Sequence, residues 1–197
     1  FEGAGMIYGE WNGSDWTIEL AAGGSLDYTG GMALVQAGDG SVHVAFFDDV
    51  LGGIMLATRT GREWTVTTVE AGGDALDVGY FPDMVIDPDG STLHMVYLER
   101  ATASTGVVRY ARGGPGAFEM MDVVEVAGFS GSARDIATRD LDAFGRPVIA
   151  TQTKSDFTVV RLVDGAVQPI TSFSAASGIT LGQQTEIEID AQGRTHI

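Results

Sequence analysis

Residues 84–97 read Met84-Val85-Ile86-Asp87-Pro88-Asp89-Gly90-Ser91-Thr92-Leu93-His94-Met95-Val96-Tyr97. Two runs of apolar, β-branched and aromatic residues flank a cluster of Asp, Pro, Gly and Ser, the pattern of two strands joined by a tight turn. A turn of this kind needs a positive φ, which glycine adopts at no steric cost. Three more stretches read alike: 32–47 around Gly40, 136–149 around Gly145, and 187–197 around Gly193. The turn glycines follow one another at 50, 55 and 48 residues.

A second hairpin alternates with the first. Residues 6–19 overlay residues 54–67 without a gap, 48 positions on, matching Gly13 with Gly61 and Trp16 with Trp64. Val108 to Ala111, followed by Phe118, is a looser copy, and 159–170 around Asp164-Gly165 is a fourth without the aromatic residue. Gly, Asp and Ser recur too often to leave a capped window with helical periodicity. Two hairpins per period make a four-stranded antiparallel unit that cannot bury both faces alone, and radial stacking of copies buries them. The predicted fold class is therefore all-β, a β-propeller of four-stranded antiparallel blades. A β-sandwich also places strands every 8–12 residues, but does not reuse Asp-x-x-Gly and Gly-x-x-Trp at a fixed period.

The repeat divides the single region 1–197 into a partial blade at 1–22, blades at about 31–70, 80–125 and 133–171, and a partial blade at 179–197. Two readings of the blade number stay open. The terminal halves join into a composite blade that closes a four-bladed ring, or the chain is a fragment of a larger ring of roughly 300–350 residues. Both ends read as cuts inside a motif, and no signal-peptide pattern opens the chain.

Composition narrows the functional classes. Glycine, at 28 of 197 residues, is roughly twice its usual share, and turn chemistry accounts for the excess. The absence of cysteine excludes a disulfide framework, thiolate metal sites and a cysteine nucleophile. A net charge of −16 repels nucleic acid and anionic membrane surfaces. No apolar stretch reaches the roughly 18–20 residues that span a bilayer, so membrane insertion is not expected. A hydrophobic fraction of 44% is enough for a packed core.

In these motifs the chain resembles the sialidase-like (neuraminidase-repeat) β-propellers, and more closely bacterial repeat proteins of unassigned function. The latter carry Asp-x-x-Gly-x-x-His, an aromatic strand, then Gly-x-x-Trp. The resemblance implies an extracytoplasmic location: extracellular, periplasmic or at the cell surface. Gly13–Trp16 and Gly61–Trp64 keep the second half of the sialidase Asp-box, while Gly9 and Trp11, or Ala57 and Arg59, stand where Ser/Thr and Asp belong. A sialidase site also needs three convergent arginines. Arg134 and Arg139 lie near one inner strand, and the equivalent strands around Leu34, Val85 and Ile187 carry none.

His43, His94 and His196 occupy one repeat position, which predicts a hydrogen-bonded side chain in each blade. A shared three-histidine metal site would need convergence at about 2 Å on one ion, so no metal is expected. Asp39, Asp87, Asp89, Asp142 and Asp190 belong to the inner-hairpin turns, where Asp accepts local backbone hydrogen bonds. Calcium is the one cofactor such oxygen-rich turns suit, and no 12-residue calcium loop occurs. Ligands of propellers sit where rim loops converge. On the rim opposite the hairpin turns, the candidate ligand-binding residues are Asp27, Tyr28, Asp48, Asp49, Asp77, Tyr80, Glu99 and Arg134. Aromatic plus carboxylate suits a sugar or a cation. No nucleophile elbow or phosphate loop occurs, and no catalytic residue is assigned. The expected function is a non-catalytic recognition or scaffold module for a protein or glycan partner. The alternatives are a degenerate sialidase-like glycoside hydrolase and a structural subunit of a larger assembly.

Overall fold

The computed structural model describes residues 5–23, 31–73, 77–127, 136–153, 155–177 and 187–197, with the backbone alone for 136–140. All the regular structure there is strand, and no helix is long and apolar enough to cross a membrane. Strands β1 (Gly5–Trp11) and β2 (Trp16–Gly23) pair as a first, two-stranded sheet. The second sheet is β3 (Met32–Gln36), β4 (Val42–Asp48), β5 (Gly53–Thr60) and β6 (Glu63–Glu70). The third is β7 (Asp77–Ile86), β8 (Leu93–Arg100), β9 (Thr105–Gly114) and β10 (Ala117–Ala127). The fourth is β11 (Ile136–Leu141), β12 (Pro147–Gln152), β13 (Asp156–Val163) and β14 (Ala166–Ser174). A last pair joins β15 (Glu188–Ile189) to β16 (Thr195–His196).

Within each four-stranded sheet the strands lie in chain order and every neighbour is antiparallel. The first strands form the inner row: β3 packs on β7, β7 on β11, and β11 on β15. Strand β2 instead packs on β5 and β6, so the first pair is an outer hairpin and the last pair an inner one. Among the described residues these two pairs remain separate sheets, and no composite four-stranded sheet joins them.

The core lies between the sheets, because each middle strand is buried on both faces. On β8, Leu93, Met95 and Tyr97 meet Ile54 and Leu56 of the second sheet. The alternate residues Val96 and Leu98 meet Ile149, Val160 and Leu162 of the fourth. Met6, Ala21 and Ala22 close on Val42, Val44 and Phe46, and Ile187 closes on Val148 and Val159. Burying each large aliphatic side chain contributes about 1.5–3 kcal/mol. At the edge of the first interface Arg59 forks onto Glu19 at 2.8 and 3.0 Å, and Trp64 Nε1 donates to the same carboxylate at 3.0 Å. Trp64 also packs edge-on against Tyr8 at 5.3 Å. The outward face of the first sheet carries Trp11 and Trp16, 51% and 64% exposed, with ring centroids 5.6 Å apart.

The inner-hairpin turns repeat in detail. The amide of Gly40, Gly90, Gly145 or Gly193 donates to the carbonyl three residues earlier, at 2.8–3.0 Å. All four glycines have φ between 71 and 86°. The β13–β14 hairpin turns on Asp164 and Gly165, both at positive φ (51 and 73°), the demand of a type I′ turn.

Candidate functional site

The rim opposite these turns carries the β4–β5, β8–β9 and β12–β13 connections. Asp48 Oδ1 accepts the amides of Val50 and Leu51, both at 3.0 Å. That cap holds the β4–β5 turn in shape and leaves Asp49 in solvent, with Val50 and Leu51 exposed at its tip. The carbonyl of Gly52 then accepts the Val78 amide at 2.9 Å, which ties this turn to β7 of the next sheet. Backbone approach there is close: a Cβ on Gly79 would lie 2.6 Å from Ile54 Cβ.

Strand β7 shifts register between Val78 and Tyr80 and again between Tyr80 and Asp83. Phe81 sits at φ 53° between them. The irregularity turns Tyr80 inward. Its ring stacks on Phe47 at 4.3 Å, and the Arg100 guanidinium lies over it at 4.7 Å. The Tyr80 hydroxyl donates to Asp77 Oδ2 at 3.2 Å. Burial, then the Asp77 charge, pushes the phenol above its ordinary range, so it stays a protonated donor. Asp77 itself is exposed.

Beneath this rim lies a charged cluster bridging the second and third sheets. Arg109 Nη1 donates to Glu70 Oε1 at 2.5 Å and Glu99 Oε2 at 2.8 Å, and the Tyr97 hydroxyl donates to Glu70 Oε2 at 2.7 Å. Arg109 Nε lies 3.3 Å from Asp122, an ion-pair distance without hydrogen-bond geometry. Burial pulls Arg109 toward neutrality, but the Glu70 and Glu99 charges outweigh it and hold the guanidinium charged.

The structure therefore brings Asp48, Asp49, Asp77 and Tyr80 to one corner of the rim, in distinct roles. Asp48 caps its own turn, Tyr80 is a buried support, and Glu99 is held by Arg109. Asp49 and Asp77 are the exposed carboxylates. Asp27, Tyr28 and Arg134 lie outside the described residues. Sequence reasoning missed Phe47 as the stacking partner and Arg109 as the charged centre. Arg109 left a signal, since it lies on one face of β9 between Val107 and the buried Ala111.

The histidines are bonded one per sheet. His94 Nε2 faces Asp87 Oδ1 at 3.0 Å, and His196 Nε2 faces Asp190 Oδ2 at 3.0 Å. Where Ala37 replaces that aspartate, His43 instead meets Ser41 Oγ at 3.3 Å and Thr58 Oγ1 at 3.1 Å. Among the described residues no three His, Asp or Glu side chains gather as a metal site would require. The exposed rim offers carboxylate acceptors beside an apolar tip, a surface for hydroxyl or ammonium donors.

Stacked four-stranded antiparallel sheets with a common inner row define the class of the protein: it has a β-propeller fold. Comparison with solved structures gives the same fold. The chain is similar to an exo-β-1,3-galactanase from Phanerochaete chrysosporium solved with galactose, at 14% identity and a TM-score of 0.51 over 86% of this chain and 43% of that one. It is also similar to a candidate 6-phosphogluconolactonase from Bacteroides uniformis, at 16% identity and a TM-score of 0.48 over 82% of this chain and 44% of that one. A β-1,3-galactosidase of family GH43 matches at 16% identity and a TM-score of 0.43, over 72% and 34% of the two chains. The chain spans less than half the length of these proteins. No family model matches it, and no curated protein does.

Proposed function

We propose that this chain is a non-catalytic recognition propeller that binds a glycan through the rim at the β4–β5 and β6–β7 connections and works outside the cytoplasm. The observation that carries the reading is the corner where exposed Asp49 and Asp77 flank the Val50–Leu51 tip, held rigid by the Asp48 cap and the Tyr80–Phe47 stack. Carboxylates accept sugar hydroxyls, and an apolar tip suits the C–H face of a sugar ring. The fold neighbour solved with galactose supports a glycan as the partner class. The partial Asp-box of residues 13–16 and 61–64 supports grouping these repeats with the sialidase-like propellers. Binding fits better than turnover, because the buried polar groups of this corner are committed to one another. A glycan array should show binding that Asp77→Asn and Asp49→Asn weaken about tenfold each, the scale of one hydrogen bond to a charged group. Hydrolysis of a fluorogenic galactoside or sialoside, lost in the same variants, would replace recognition with the glycosidase reading.

A further inference from the structure

The opposite rim holds a cleft of about 450 Å³ between the third and fourth sheets, a volume within the range of small-molecule sites. Its floor is His94 and Tyr110, 2% and 6% exposed. His94 Nδ1 lies 2.6 Å from the Tyr110 hydroxyl and Nε2 lies 3.0 Å from Asp87. Asp87 accepts, so Nε2 carries the proton and Nδ1 is bare. The Tyr110 proton must then point inward to Nδ1, which leaves the phenol oxygen to the cleft as an acceptor.

Arg112 stands two residues further along β9, on the same face, and Glu119 lies opposite it on β10. The wall from the third sheet thus presents two acceptors on either side of a donor, one along β9 and one across on β10. Across from it, Pro147 and Leu162 are buried and apolar. A vicinal diol donates and accepts at adjacent oxygens, and the ring that carries it has an apolar C–H face. A bare anion fits worse, since Glu119 and Asp164 line the cleft beside Arg112, and the other cation there, Arg146, is already paired with Asp142 at 2.6 Å. Burial pushes the Tyr110 phenol up and keeps it protonated, so the array is built to bind rather than to abstract a proton.

We infer that this cleft is a second binding site, independent of the opposite rim, for a neutral mono- or disaccharide held by Tyr110, Arg112 and Glu119. The test is amide-resolved NMR titration of the full chain with galactose, glucose, N-acetylglucosamine and lactose. At least one sugar should shift the amides of residues 110–112, 119–121 and 162–165. Arg112→Gln and Glu119→Gln, both on exposed side chains, should weaken it about tenfold while leaving the thermal melt unchanged. Asp77→Asn should leave it unaltered, which separates this site from the rim proposed above. The inference is overturned if none of the four sugars shifts these amides, if both variants bind as tightly as the parent, or if inorganic phosphate alone occupies the cleft.

Discussion

At the scale of single residues, the glycines separate two physical effects. Gly13 and Gly79 both hold a positive φ, 103 and 116°. A Cβ on Gly13 meets nothing within 4 Å, whereas on Gly79 it would strike the backbone and Cβ of Ile54 at 2.6–2.9 Å. Gly13→Ala should cost only the backbone strain, about 1–2 kcal/mol. Gly79→Ala should cost that plus a clash no rotamer relieves, about 4 kcal/mol in all. Urea midpoints would show the difference, and equal losses would contradict it. Histidine 94 carries the second prediction. Burial lowers its pKa from the ordinary 6.5 against the opposing pull of Asp87, with Tyr110 and Arg112 also facing the ring. The unfolded chain therefore takes up a proton below about 6.5 that the folded one refuses, and stability falls as pH drops through that window. His43 adds the same sign, and the turn aspartates Asp39, Asp89 and Asp142, held below their ordinary 3.8 by their hydrogen bonds, bring a further loss below about pH 4. Thermal melts between pH 7.5 and 5.5 should slope less steeply in His94→Gln than in the parent. Parallel slopes would remove His94 from the account.

At the scale of strands and hairpins, the cluster around Arg109 sets what holds the second and third sheets in register. Arg109→Met leaves Glu70 and Glu99 without their cation and should cost about 3 kcal/mol or more, a fall of roughly 6–12 °C in Tm for a chain of this size. Adding Glu70→Gln and Glu99→Gln should recover much of the loss, and an unchanged Tm in the single variant would show the cluster to be inert. These same residues mark how far the sequence could be read. Hairpin boundaries were legible because Asp-x-x-Gly and Gly-x-x-Trp are local signals. The strand at 93–98 was legible as a short, nearly continuous apolar run, the mark of a strand buried on both faces. Glu99 stands in the sequence as a rim residue, since nothing near it announces that Arg109 will pair beside it and Glu70 will arrive from another sheet. Tyr80 likewise reads as an open aromatic. Two register shifts and the positive φ of Phe81, invisible in the local pattern, turn it beneath Phe47 and Arg100. The exposed carboxylates Asp49 and Asp77 were legible, because a turn and a strand entry put them in solvent whatever the neighbouring sheet does.

At the scale of the molecule, the described sheets stack in a series with an apolar cluster at each junction between neighbours, and Phe47 of the second sheet also joins the cluster between the third and fourth. Stability in such a series is close to a sum over units and junctions, and end units loosen first when their outer face is bare. The first sheet has two strands and a bare outer face, while the third is covered on both sides. All three tryptophans of the chain, Trp11, Trp16 and Trp64, fall in the first two sheets. Trp11 and Trp16 already meet water, so Trp64, packed on Tyr8 and bonded to Glu19, dominates any change in emission. Intrinsic fluorescence is therefore a local gauge of the first junction, whereas far-UV circular dichroism weighs all the strands. The emission midpoint should precede the dichroism midpoint in urea, and coincident curves would mean that the sheets unfold as one cooperative unit. The placement of three indoles thus builds a spectroscopic reporter for the first junction into the native chain, with no label added.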